Sequence, residues 1–420
     1  MKILLVNTSS ATGGAAIAAR RLMNALEKNG AEVKMLVRDK DDDDPRVVAL
    51  PPSLLLKAKF VAERAEIFLE NKCKKHRLFE VDHAAHGTDI TKLACFKEAD
   101  IIHLHWVNQG MLSMNDIEKI LQSGKQVWWT LHDMWPFTGI CHHSRQCEGW
   151  KHECGNCRLL INGGSDGDLS HRTFKKKQKV YAQGKMRVVA CSNWLADLAR
   201  KAPLFKDFSV ESIPNPIDTT FYTPGNKIEA RKRLGLPLNK KLLLFVAYRA
   251  TDRNKGIYYL GDALTNIQER NADFAAQLGL IIVGREAEAA TVGIPCECFP
   301  QGYITDAEKM LLCYQAADLL VMPTLQDNLP NTIAEAMACG TPCVGFRVGG
   351  LPQMIAHRRN GYLARYLDAA DFADGILETA FSDGYENYAN DARKVAVETY
   401  SEKVIAERFL NYSPDSKQPI

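Results

Sequence analysis

Short apolar runs that alternate with helical stretches constrain this chain most. In its first half KILLVN, AEVKMLV, ADIIHLHW, QVWWTLH and RVVACS are separated by patterns such as AAIAARRLMNALEKNG. Nearly continuous apolar strands interleaved with helices predict a parallel sheet covered on both faces. A second series, KLLLFVAYR, LGLIIVG, ECFPQGYI, ADLLVMP and PCVGF, repeats the pattern. At 420 residues the chain exceeds one ordinary core and suits two domains of about 200 residues each. Between the series, SIPNPIDTTFYTPGN breaks regular structure with three prolines and a glycine. The predicted organisation is therefore an N-terminal βα domain over 1–212 with a cysteine-rich insertion at 141–157, a linker at 213–226, a second βα domain over 227–395, and a C-terminal helix and tail at 396–420.

The segment Gln326 to Phe346 carries the strongest functional signal. Asp327 and Glu335 stand eight positions apart, with a turn at Asn328 to Pro330 ahead of a helix. One acid at a helix entrance and one two turns deeper can face a single ligand, while the free N–H groups of the first turn suit a phosphate. Asp327 could instead only cap a helix buried through Ile333, Ala334, Met337 and Ala338. The surroundings argue for a ligand: the strand AADLLVMP runs into the turn, and the strand CVGF and the loop RVGGLPQM follow the helix.

An anionic phosphate ligand, or a phosphate leaving group, requires cations or oriented donors. Arg249 and Lys255, in the loop RATDRNK after LLLFVAY, are the candidates; lone basic residues in loops are more often only solvated. Gly13 and Gly14 let backbone approach a ligand at the start of the first helix, although a plain turn is the default for such a pair. His132 ends the strand VWWTL beside Asp133, where it can contact sugar hydroxyls or serve as a backbone-bonded structural histidine. His103 and His105 are secondary candidates, expected on opposite faces of their strand.

These motifs resemble family 4 of the retaining glycosyltransferases, whose GT-B fold sets two Rossmann-like βα domains facing across a cleft. The resemblance rests on Glu335, Ala336, Met337, Ala338, Gly340 and Pro342, then Val348, Gly349, Gly350 and Pro352, and on Arg249, Lys255 and Gly256 in the order of the family's G-R-x5-K-G element. Two positions depart from the pattern: Asp327 stands where the family has Glu, and Tyr248 stands where it has Gly. The resemblance implies that Glu335 holds the nucleotide ribose, and that Asp327 meets sugar and phosphate with the Leu329, Pro330 and Asn331 backbone. It implies also that Arg249 and Lys255 carry the diphosphate, that the Gly13–Gly14 loop faces the cleft, and that His132 lies on the acceptor side. Transfer with retention from a nucleoside-diphosphate sugar, without a metal cofactor for catalysis, follows from the same resemblance. So does a glycan or lipid-linked glycan acceptor in surface polysaccharide synthesis, such as capsule or lipopolysaccharide. The rival expectations are a sugar-nucleotide epimerase of similar architecture and a binding or assembly protein without turnover.

A net charge of +3 with 46% hydrophobic and 25% charged residues implies a globular protein and no nucleic-acid partner. No apolar run approaches the roughly 18 residues of a membrane span, and the first residues read as a strand, so a cytoplasmic protein is expected. Lys57 to Arg77 and Arg172 to Lys185 mix lysines with apolar residues, a pattern of solvated helices or of peripheral contact with the inner face of a plasma membrane. Cys141, Cys147, Cys154 and Cys157 sit in one short loop and predict a structural zinc, with reduced thiols or disulfides as alternatives. The acidic run Asp41 to Asp44 contains an Asp-x-Asp, expected to be a solvated loop rather than a metal site.

Overall fold

The computed structural model describes residues 1–51 and 54–411. Two compact units emerge, one formed by Met1–Asn215 with the described residues from Ile405, the other by Pro216–Val404.

The first unit is built on seven parallel strands: β1 (Lys2–Ser9), β2 (Glu32–Asp39), β3 (Val47–Ala49), β4 (Ile101–Leu104), β5 (Gln126–Leu131), β6 (Arg187–Ala190) and β7 (Val210–Ser212), in the order β3-β2-β1-β4-β5-β6-β7. Successive side chains of a strand point to opposite faces. Ile3 and Leu5 accordingly pack with Leu22, Leu26 and Met35 on one side, while Leu4 and Val6 pack with Ile102, Leu104 and Trp129 on the other. Burial of both faces explains why the strands read as continuous apolar runs. The C-terminal helix Glu402–Leu410 contributes Ile405, Ala406 and Phe409 to the first of these cores, and Arg187 lies over the Phe409 ring at 5.5 Å while donating to its carbonyl at 3.2 Å.

The second unit has six parallel strands: β8 (Lys241–Arg249), β9 (Leu278–Arg285), β10 (Glu297–Gly302), β11 (Leu319–Met322), β12 (Cys343–Phe346) and β13 (Gly361–Ala364), in the order β10-β9-β8-β11-β12-β13. Its first six positions repeat the order of the first sheet. In both, strand order reverses once, between β1 and β4 and between β8 and β11. The chain leaves those neighbouring strands in opposite directions around the sheet, opening a crevice at their carboxyl ends where ligands of such sheets bind. The loops after β8 and β11 carry Arg249, Lys255 and Asp327 to that point.

Candidate active site

In the second unit, two glycines bring the loops together. Gly256 has a left-handed backbone (φ +75°), and a Cβ there would fall 1.9 Å from the Pro323 carbonyl oxygen. The close approach pins the loop after β8 onto the end of β11, where Leu325 N–H donates to the Asn254 carbonyl at 2.8 Å and the Thr324 hydroxyl to the same oxygen at 3.1 Å. Lys255 is thereby delivered to Asp327, its Nζ donating to Oδ2 at 2.6 Å. The Asp327 carboxylate raises the Lys255 pKa above its ordinary value against the opposing effect of burial, so the ammonium is held charged. Gly349, also left-handed (φ +58°), seats the V-G-G loop on the same residue: its Cβ would lie 1.9 Å from the Asp327 carbonyl oxygen, and Gly350 N–H donates to that oxygen at 3.1 Å.

Helix Asn331–Ala338 begins directly behind this pair, with Pro330 at its N-cap and no side-chain cap. Proline there sacrifices no helical hydrogen bond, and the N–H groups of the first turn have no partner within the helix. Leu329 and Pro330 are buried and Asn331 is half-buried. Glu335 is buried one turn in, and its Oε2 accepts from the Tyr314 phenol, carried on helix Ala307–Ala316. Arg249 does not join Asp327 in an ion pair. Its Nε lies 3.4 Å from Glu286, just past β9, which also accepts from the Thr251 hydroxyl. The Arg249 side chain is 60% exposed, so its charge is available to an incoming anion. Tyr314 and Glu286 were not singled out in the sequence, although Glu286 follows an apolar run at the same sheet edge.

The first unit places Gly13 and Gly14 after β1. Gly13 needs its glycine conformationally (φ +92°), and no heavy atom lies within 4 Å of a Cβ at either position, leaving open space at the start of helix Gly14–Lys28. His132, at the end of β5, is half-buried, and its Nε2 lies 3.0 Å from Nδ1 of His105. Its Nδ1 lies 3.5 Å from the Cys191 sulfur, which donates to Asn215 Oδ1 at 3.1 Å. Desolvation pushes the His132 pKa down to about 4, so the ring is neutral. His103 and His105 share a face, contrary to expectation: residues two apart on a strand point the same way, and their ring centroids are 4.3 Å apart. Asp133 turns away from His132 and accepts from His142 Nδ1 at 2.7 Å and Trp106 Nε1 at 2.9 Å; with these partners its pKa is held at about 2 despite burial.

Contacts between protein groups hold the loop for which a structural zinc is expected. Among the described residues no group of three or more His, Cys, Asp or Glu is arranged to hold a metal, and Cys141, Cys147, Cys154 and Cys157 are free thiols. The loop is fixed by the Asp133–His142 pair, by Met134 N–H donating to the His142 carbonyl at 2.9 Å, and by Gly139 N–H on the Cys154 sulfur at 3.2 Å. Just ahead of the loop, buried Lys177 donates to the Thr138 carbonyl at 3.0 Å and lies 3.5 Å from the Trp135 ring centre. Lys177 belongs to the segment Arg172 to Lys185 considered for membrane contact. Phe174, Val180 and Tyr181 of that segment are buried in the core, which removes its apolar face from any lipid. Asp42 and Asp44 are ion-paired with Arg20, and Asp44 also with Arg46, so the acidic run is engaged by arginines. No helix among the described residues is long and apolar enough to cross a membrane.

Comparison with known proteins agrees with this geometry. Residues 12–221 match Glycosyltransferase Family 4, and residues 240–380 match Glycosyl transferases group 1. A D-inositol 3-phosphate glycosyltransferase of Arthrobacter sp. (strain FB24) is 26% identical over 389 residues, covering 89% of this chain and 83% of its own. Among solved structures, sucrose-phosphate synthase from Thermosynechococcus elongatus superposes with a TM-score of 0.69 at 20% identity, covering 98% of this chain and 97% of its own. Anabaena HepE, solved in complex with UDP-glucose, gives 0.61 at 15% identity, covering 98% of each chain. With both sheets in the GT-B pattern and the family 4 match spanning half of its length, the chain belongs to glycosyltransferase family 4 and is a glycosyltransferase.

Proposed function

We propose that the protein transfers a sugar from a nucleoside diphosphate to an acceptor hydroxyl with retention of anomeric configuration and without a divalent metal. The observation that carries this reading is the Lys255–Asp327 pair, set at the strand-order reversal of the second sheet and at the mouth of a helix N-terminus. Lys255, Arg249 and the Leu329 to Asn331 backbone supply the positive charge and N–H donors that a departing diphosphate needs. Asp327 addresses the sugar hydroxyls and Glu335 the ribose, with the Tyr314 phenol orienting the Glu335 carboxylate. Gly13 and Gly14 offer their backbone to a donor phosphate or the acceptor, and His132 binds or polarises sugar hydroxyls on the acceptor side.

In the transfer, the bond from the anomeric carbon to the phosphate oxygen breaks while the bond to the acceptor oxygen forms on the same face. The acceptor's proton passes to the leaving phosphate, so no side chain acts as nucleophile; the protein contributes charge and position. The UDP-glucose bound by HepE makes UDP-sugars the first donors to test. For the acceptor we favour a glycan or lipid-linked glycan of a surface polysaccharide such as capsule or lipopolysaccharide. The work would be done in the cytoplasm at the inner face of the plasma membrane, which Val61 and Leu69, exposed on helix Leu54–Glu70, suit as contacts. A phosphorylated polyol joins the acceptor panel because the Arthrobacter relative is named for one.

The test is a transfer assay with and without EDTA, followed by NMR of the product's anomeric proton. Unchanged rate with EDTA and the donor's own anomeric configuration are expected. An inverted product, or activity abolished by EDTA and restored by Mg²⁺, would overturn the proposal.

A further inference from the structure

His105, His132, Cys191 and Asn215 form a hydrogen-bonded row with one consistent direction. His105 is 3% exposed and its Nε2 is buried with no hydrogen-bond partner. An unfilled acceptor inside a protein costs less than an orphaned N–H, so the ring carries its proton on Nδ1 and directs it at His132 Nε2, 3.0 Å away. His132, neutral, must then keep its own proton on Nδ1, facing the Cys191 sulfur at 3.5 Å. The Cys191 thiol is fully buried and donates onward to Asn215 Oδ1 at 3.1 Å, the last residue of the first unit's main segment. His103 packs behind, its ring 4.3 Å from His105 and its Nε2 2.7 Å from the Thr130 hydroxyl. Each donor in the row meets an acceptor only if the protons run His105 to His132 to Cys191 to Asn215.

We propose that His105 is a positioning residue that locks His132 into the Nδ1–H tautomer, with Cys191 and Asn215 holding the far side of the ring. The proposal rests on reading His132 as the acceptor-side histidine and adds how it is set. With both ring nitrogens engaged inside the protein, His132 meets substrate as a fixed neutral ring and moves no proton. The acceptor's proton is thereby left to the leaving phosphate. Tautomer and orientation of a functional histidine are commonly set in this way by the bond its second nitrogen makes.

The test compares His105→Leu with His105→Asn, whose side-chain amide can replace the Nδ1 donor, and Cys191→Ala with Cys191→Ser, whose hydroxyl can both accept and donate. The readouts are the ¹⁵N shifts of His132 and steady-state transfer. The wild type should show one His132 tautomer, with Nδ1 protonated. His105→Leu should mix the tautomers and lower kcat about tenfold, the loss of one hydrogen bond that orients a substrate-contacting ring, with donor KM within about twofold. His105→Asn and Cys191→Ser should restore the single tautomer and most of kcat. A mixed or Nε2–H tautomer in the wild type, or equal behaviour of the Leu and Asn variants, would overturn the proposal. If the NMR pattern holds while no variant or wild type transfers sugar, the relay stands and the transferase assignment of His132 fails.

Discussion

The two units share one strand order, yet the ends of their central strands are furnished in opposite ways. At the ends of β8 and β11 the second unit carries charge: Lys255 paired with Asp327, and Arg249 paired with Glu286 at the surface. In β4 and just after β4 and β5 the first unit carries neutral rings: His103, His105 and His132, joined to a thiol and an amide. Under the proposed function, charge is kept where a diphosphate would leave, with each cation already held by a carboxylate that an incoming anion can displace or share, and neutral, oriented groups are kept where charge is not to develop. A common βα frame would then serve two tasks through the dielectric setting of its strand ends.

Removing the charge should have the largest effect. Lys255→Ala is expected to lower kcat by about 10²–10³, the loss typical of one preorganised group facing developing negative charge. Single-turnover kinetics on a variant with unchanged circular dichroism would check it, and a change below about fivefold would contradict the contrast. Glycines give the next test. Gly349→Ala places a Cβ 1.9 Å from the Asp327 carbonyl at a left-handed residue and should cost about 2–3 kcal/mol in urea unfolding. Gly14→Ala, with nothing within 4 Å, should leave stability unchanged or raise it by about 0.5–1 kcal/mol. Equal costs at the two positions would erase the difference between a packed loop and an open one.

The neutral rings set a pH window. Burial holds His132 at about 4, and His103 and His105 well below their ordinary 6.5, so between these values the unfolded chain binds more protons than the folded one. Their contribution is complete above pH 6.5 and drains as pH falls toward 4, by about 1.4 kcal/mol per pH unit for each ring. Asp133, held at about 2, adds its own loss only below pH 4. Unfolding midpoints measured from pH 7.5 to 4.5 should therefore fall, and fall less in His103→Leu; a flat profile would remove the buried neutral cluster from the account. Tyr314→Phe should be mildest, costing about 1 kcal/mol and raising donor KM while leaving kcat near wild type. A collapse of kcat would instead place Tyr314 against the reacting atoms.

Much of the frame was legible because buried parallel strands announce themselves as continuous apolar runs. Strands β3, β7 and β13 were not, since three or four residues outside any longer apolar run carry no period. Asp327, Lys255 and Arg249 were singled out through spacing and strand ends. Their partners Tyr314 and Glu286 were missed because they arrive from other helices and strands, through topology rather than through any local pattern. The histidine row was misread by a face, an error of strand periodicity that the ring distance of 4.3 Å corrects. In the cysteine loop, thiol spacing suggested a metal; the contacts of His142 with Asp133 and of Cys154 with Gly139 N–H could not be read from that spacing, because they are made with residues outside the loop.

The most direct test of the central claim is a thermal-shift and hydrolysis screen of the purified protein against UDP-, GDP-, ADP- and dTDP-sugars, with wild type beside Lys255→Ala. A bound donor raises the melting temperature by mass action, and slow hydrolysis reports cleavage of the sugar–phosphate bond. One nucleotide class should stabilise the wild type and be hydrolysed slowly, and the variant should lose both responses. A folded wild type that responds to none of the donors, or a variant that responds as strongly as the wild type, would contradict the claim that the charged strand ends of the second unit hold the leaving diphosphate.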